Sequence, residues 1–139
     1  MGARYPFQGA ATSMNLTQQH QVDFKLFDRP DVPTRSYAAG EVIVAEGDAA
    51  KEMFVVKSGK VAIRVHDKTI EQVGAGGMFG EMALIDHSPR SATIVAEEDT
   101  VLVPVNERLF VVLVQDTPFF ALDVMRVLVE RIRLMNERV

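Results

Sequence analysis

The chain has 139 residues, 47% of them hydrophobic and 24% charged, with a formal net charge of -4 and no cysteine. That is enough for one domain with its own core, of a composition typical of soluble globular proteins. A mildly acidic balance argues against gripping nucleic acid or an anionic membrane, and without cysteine there are no disulfides, thiolate nucleophiles or thiolate-bound metals.

A cytoplasmic location is the expectation. No apolar run reaches the ~20 residues of a membrane helix, and the N-terminus lacks a secretion pattern. Pro6 stands where a myristoylation motif opening at Met1-Gly2 wants Ser or Thr. Residues 1–13 show no period and read as a flexible leader, with Met14 a candidate natural start; 14–34 form an N-terminal segment and 35–139 the folded domain.

From Tyr37 onward, short apolar runs alternate with turn signals, which predicts an all-β body. Ala39-Gly40-Glu41 and Glu46-Gly47-Asp48 are the first punctuation marks. Met53 to Lys57 and Val61 to Val65 flank Ser58-Gly59-Lys60, and Val61, Ile63 and Val65 alternate with Ala62, Arg64 and His66. That pattern predicts a hairpin with one buried face. Further strands are expected at Thr69 to Val73, Ala92 to Ala96 and Thr100 to Val105. Even spacing without intervening helices favours a sandwich or roll.

The C-terminal part reads as helical. Asn106 caps a helix from Glu107 to Val114, and Thr117-Pro118 begins another that runs from Phe119 to Arg138. Phe120, Val124, Val127, Leu128, Arg131 and Met135 recur at helical spacing, while Asp123, Arg126, Glu130 and Arg133 supply a charged side. Such a helix packs on the body, on a copy of itself, or on both.

Gly74-Ala75-Gly76-Gly77-Met78-Phe79-Gly80 invites a dinucleotide or P-loop reading, and both fail. GxGxxG begun at Gly74 needs glycine at Phe79, and Gly80 is followed by Glu81 instead of lysine. Residues 74–77 read as a turn. Gly80 precedes a short helix-like run, Glu81 to Ile85, whose first N–H groups suit an anion.

Pro89 fixes the path out of Asp86-His87-Ser88 and delivers Arg90 to the start of a strand. Folded back, Arg90 and the N–H groups of Met82 and Ala83 converge on one cavity; Ser91 adds a hydroxyl, and Ala83 and Ala92 leave room. A guanidinium there binds phosphate as a fork. Glu81 repels phosphate but accepts a hydrogen bond from a neutral hydroxyl. Residue chemistry therefore points to a ligand with one phosphate and a sugar hydroxyl. The alternative is an Arg90–Glu81 ion pair bracing a hairpin.

Phe79-Gly80-Glu81-Met82-Ala83-Leu84, five residues, then Arg90-Ser91-Ala92-Thr93-Ile94 resembles the phosphate-binding cassette of cyclic-nucleotide-binding domains, found in catabolite activators, protein kinase A regulatory subunits and cyclic-nucleotide-gated channels. Ala39-Gly40-Glu41-Val42-Ile43, Glu46-Gly47-Asp48 and Val56-Lys57-Ser58-Gly59-Lys60-Val61 resemble other family blocks in the right order. The resemblance implies an eight-stranded antiparallel β-roll, jelly-roll-like, with a short phosphate-binding helix and C-terminal lid helices. It implies cyclic AMP or cyclic GMP as ligand, no metal, and a ligand-binding set of Gly80, Glu81, Met82, Ala83, Arg90, Ser91 and Ala92. Arg90 would hold the phosphate, backbone N–H groups of Gly80, Met82 and Ala83 would assist, and Glu81 would accept the ribose 2′-OH. Arg131, Met135 and Asn136 are the candidates for base or lid contacts. Serine at position 91, where threonine often accompanies cyclic GMP preference, tilts toward cyclic AMP.

The chain stops at Val139, soon after the last helix, which is taken to mean a free-standing sensor, similar to the small bacterial single-domain members, that signals through an unidentified protein partner. A ligand-independent interaction module, dimeric through the C-terminal helix, is the alternative on the same fold. A cupin-type enzyme is disfavoured, because His20, His66 and His87 lie in unrelated segments without metal-ligand spacing.

Overall fold

Short runs rich in Val, Ile and Phe, each closed by a turn residue, give eight strands in this computed structural model, which describes residues 32–137. The leader assigned to residues 1–13, Met14, His20 and nearly all of the 14–34 segment lie outside the described residues, as do Arg138 and Val139. The strands are β1 (Arg35–Tyr37), β2 (Val42–Val44), β3 (Glu52–Ser58), β4 (Lys60–Val65), β5 (Lys68–Gly74), β6 (Met78–Phe79), β7 (Thr93–Ala96) and β8 (Thr100–Asn106). Three helices join them among the described residues: α1 (Met82–Asp86), α2 (Glu107–Asp116) and α3 (Phe119–Glu137).

All pairings are antiparallel, in two four-stranded sheets ordered β1-β8-β3-β6 and β2-β7-β4-β5. The β-roll with C-terminal helices expected from the sequence is what forms. Strand side chains alternate between faces, and that alternation divides the core in two. Phe54, Val56, Phe79 and Leu102 point between the sheets, where they meet Val61, Ile63, Val73 and Ile94. Met53, Val55, Met78, Val103 and Val105 point the other way, onto Leu113 of α2 and Phe120, Val124 and Val127 of α3. A sheet covered on both sides needs the unbroken apolar runs Met53 to Val56 and Leu102 to Val105.

The expected hairpin across Ser58-Gly59-Lys60 does not form. β3 pairs with β8 and β6, whereas β4 pairs with β5 and β7, so residues 58–60 turn a corner from one sheet to the other. Backbone hydrogen bonding decides this: Val56 gives its N–H to Gly77 and accepts from Gly76, which leaves β4 to seek partners elsewhere. The true hairpin joins β4 to β5 through His66 and Asp67, both at positive φ (53° and 64°) as its tight turn requires. His66, expected on the outward phase of a strand, is therefore a turn residue. Ala62 is also buried, although its phase was expected to face out; opposite it Gln72 reaches over to Glu97 at 2.8 Å.

The helices begin where the caps predict. Asn106 Oδ1 accepts from Leu109 N–H at 2.9 Å, and α2 continues two residues past Val114. α3 starts at Phe119, after Pro118, and lays Phe120, Val124, Val127 and Arg131 against the body. The short strands β1 and β6 were not anticipated, because runs of three and two residues carry no readable period.

Gly59 (φ +92°) is the tightest point of the corner: a Cβ there would fall 2.5 Å from the Asp99 carbonyl and the Thr100 hydroxyl. Gly59→Ala is expected to cost more than about 1 kcal/mol of stability, read as a lower urea midpoint at unchanged slope; an unaltered midpoint would contradict this corner.

Candidate functional site

The cassette is shaped by three backbone events in sequence. Gly80 takes φ +76°, Glu81 takes up helical geometry, and His87 ends α1 in the left-handed region at φ 57°. Asp86 Oδ1 then accepts from Ser88 N–H at 3.0 Å, a bond that holds its carboxyl below the usual range. The loop that follows runs back along the turn after β2, with Arg90 N–H donating to Asp48 O and Gly47 N–H to Arg90 O, both at 2.8 Å. Arg90 was expected at the start of a strand; these bonds tie it to the Gly47-Asp48 turn, and β7 begins only at Thr93.

This path encloses a cavity of about 750 Å³, within the usual range for small-molecule sites. Gly80, Glu81, Met82, Ala83, Arg90, Ser91 and Ala92 all line it, so the full set expected for ligand binding is brought together. Arg131 and Met135 line it as well; Asn136 is exposed and does not.

Arg90 does not pair with Glu81. Its Nη2 donates to the Glu52 carbonyl at 2.9 Å, and the guanidinium lies 5.6 Å from the centre of the Phe54 ring, which itself stacks on Phe79. Nε is buried without a hydrogen-bond partner among the described residues. Burial lowers the guanidinium's pKa, offset in part by the charges of Glu52, Asp48 and Glu81, and arginine stays charged in any case. Gly80 makes the close approach possible, because a Cβ there would sit 2.7 Å from Arg90 Nη1. The result is a half-buried cation held in place by protein groups yet short of acceptors, as an anion-binding arginine must be.

The backbone cradle is thinner than α1 suggested. Ala83 N–H donates to Gly80 O at 3.1 Å and Leu84 N–H to Glu81 O at 3.2 Å, so both serve the first turn. The helix has only five residues, Met82–Asp86 instead of 81–85, with Glu81 as its N-cap.

Glu81 is 2% exposed, and its partner is Arg131 of α3, whose Nη1 lies 2.6 Å from Glu81 Oε1. Arg131 also donates from Nε and Nη2 to the two oxygens of Glu71, at 3.2 and 3.1 Å, and from Nη2 to the Met78 carbonyl at 2.8 Å. Burial would lower this guanidinium's pKa; the charges of Glu81 and Glu71 outweigh it and raise it. Arginine on a helix end usually reaches solvent, but here it is 9% exposed and bridges two carboxylates. Sequence reasoning missed Glu71 entirely. The only sign was an acidic residue within the strand expected at Thr69 to Val73.

Breaking one partner of a buried ion pair strands the others. Arg131→Met is expected to lower stability by about 3–5 kcal/mol in chemical denaturation. A loss below about 1 kcal/mol, the value of an exposed pair, would show that water satisfies both carboxylates.

The cyclic nucleotide-binding domain profile matches residues 34–117. Among curated proteins, the chain is 36% identical over 104 residues to the "Cyclic AMP receptor protein" of Thermus thermophilus, covering 71% of this chain and 48% of that one. It is 40% identical over 67 residues to the "cAMP-dependent protein kinase type II regulatory subunit" of Drosophila melanogaster, covering 45% and 18%. It thus spans about half or less of the length of the curated relatives it matches. The crystal structure of the Thermus thermophilus catabolite activator protein superposes with a TM-score of 0.69 at 33% identity, covering 77% of this chain and 53% of that one. A second solved structure, "Sp-2Cl-cAMPS bound to PKAR CBD2", gives 0.66 at 28%, covering 76% and 70%. With its profile match, its roll and the whole cassette gathered round one cavity, the chain belongs to the cyclic nucleotide-binding domain family.

Proposed function

We propose that this domain is a cytoplasmic receptor for a 3′,5′-cyclic nucleotide, cyclic AMP in preference to cyclic GMP, and that occupancy is read by a protein partner through α3. The observation that carries the proposal is Arg90, whose half-buried guanidinium lines the cavity, is fixed by the Glu52 carbonyl and pairs with no carboxylate among the described residues. A singly charged cyclic phosphate supplies what it lacks. Met82 N–H and the Ser91 hydroxyl are the adjacent donors, and small Ala92 leaves space.

Glu81 engages Arg131 through Oε1. That leaves Oε2 to accept the ribose 2′-OH, so ligand and α3 share one carboxylate. Ser91 on the lining supports the choice of base. Catalysis and metals play no part in this reading, which makes the domain a binding module and not an enzyme.

Ligand at ~100 times its dissociation constant adds ~2.7 kcal/mol to stability. Cyclic AMP is therefore expected to raise the unfolding temperature of the wild type and to leave that of Arg90→Ala nearly unmoved. No shift with either cyclic nucleotide, or an equal shift in the variant, would refute the assignment. Cyclic 2′-deoxy-AMP is expected to bind at least about tenfold more weakly than cyclic AMP, the cost of one hydrogen bond to a charged group; equal affinities would remove Glu81 from the site.

One observation favours a second reading, dimerisation independent of ligand. Leu122, Met125, Val129 and Ile132 are 39–51% exposed along one face of α3, opposite the face buried on the body. They recur at the a and d spacing of a two-stranded coiled coil, and Asn136 takes the next a position. Sedimentation separates the readings: a tight dimer unchanged by cyclic nucleotide supports this one, and a monomer of unchanged mass dismisses it.

A further inference from the structure

We infer that Glu71 is the residue by which this cavity selects its base, favouring a ring with an amino group at the 6-position over one without; the inference rests on the site being a cyclic-nucleotide pocket. Glu71 reaches the interior because of an irregularity in β5. Opposite β4, Ile63 pairs with Glu71 and the next residue, Arg64, pairs with Thr69, which leaves Ile70 as an extra residue. Such a bulge shifts the phase of a strand and re-aims its side chains. Ile70 before the shift and Val73 after it both pack into the core between the sheets, and Glu71 shares the phase of Val73. An uninterrupted strand would turn either Ile70 or Glu71 to solvent; the bulge brings both to the cavity.

Position then decides what Glu71 meets. Arg90, Ser91 and Ala92 enter the cavity just before β7, and β5 is two strands from β7 in the same sheet. That separation is roughly 9–10 Å, about the reach from the phosphate of a nucleotide to the far edge of its base. Between the two ends lie Ile63, Val65 and Ile70, with His66 and Lys68 of the β4–β5 turn at the margin, and Leu134 and Met135 of α3 also line the cavity. A flat ring fits such a slot. At its far edge stands Glu71, half of whose roughly four lone-pair sites are taken up by Arg131.

The remaining sites accept and cannot donate. The cluster of Glu71, Glu81 and Arg131 carries a formal charge of -1 (two carboxylates, one guanidinium). Both features welcome an exocyclic amine and repel a carbonyl oxygen.

Calorimetric titration of the wild-type protein tests this with two ligands, cyclic AMP and the cyclic nucleotide of unsubstituted purine, which differ only in the 6-amino group. Cyclic AMP is expected to bind at least about tenfold more tightly. Glu71→Gln, which retains an acceptor for Arg131 but adds a donor, is expected to shrink the ratio below about threefold and to improve binding of 6-oxo cyclic IMP relative to cyclic AMP. Glu71→Asp, still acceptor-only but one methylene shorter, is expected to keep the sign of the preference.

Equal wild-type affinities for the first two ligands, or a ratio untouched by Glu71→Gln, would overturn the role of Glu71 and leave the pocket reading intact. Binding of none of these ligands would overturn both. An altered unfolding midpoint of Glu71→Gln at unchanged ratios would mark Glu71 as only a counterion for Arg131, which also overturns the proposal.

Discussion

Everything at this site depends on where Arg131 puts its charge. A guanidinium withdrawn from water is costly unless its donors are met, and here they are met by groups from separate elements: Glu71 of β5, the Met78 carbonyl of β6 and Glu81 at the N-cap of α1. Phe120, Val124 and Val127, before Arg131 on α3, pack into the core, and every described residue after it is exposed. Arg131 is thus the last buried anchor of the helix, and it is fastened to the wall of the cavity.

The second constraint is steric. Gly80, Phe54 and the Glu52 carbonyl define the seat of Arg90. Phe54 lies on β3, whose other face carries Met53 and Val55 into the core under the helices. The strand that supports α2 and α3 therefore also supports the arginine on the opposite face. Rigid support of this kind fixes a charged side chain whose own backbone lies on a loop.

Much of this was readable from residue types alone. Most strand positions followed from apolar runs between turn signals, helix starts from Asn106 and Thr117-Pro118, and the cassette from its resemblance to a block of a known family. What was not readable was long-range. Residues 58–60 look like a hairpin turn locally, and only the competition of Gly76 and Gly77 for Val56 sends β4 to the other sheet. Glu81 and Arg90 are near in sequence, and the ion-pair alternative joined them for that reason; the actual partner of Glu81 is fifty residues away. Glu71 depends on a one-residue register shift, which no period can reveal.

Sharing of Glu81 between ribose and Arg131 has a consequence for signalling on the proposed reading. A ligand moves a conformational equilibrium only by its differential affinity for the two states. A hydroxyl that bonds Glu81 and an amine that bonds Glu71 both alter the charge Arg131 meets, whereas the Met78 carbonyl accepts from the same guanidinium independently of the ligand. The helix is then held by two carboxylates sensitive to occupancy and by the Met78 carbonyl, which is not. Weakening the first two loosens α3 without releasing it, because the third remains. The exposed stripe of Leu122, Met125, Val129 and Ile132 lies on the same rigid helix, so a shift at Arg131 changes the angle at which that stripe is presented.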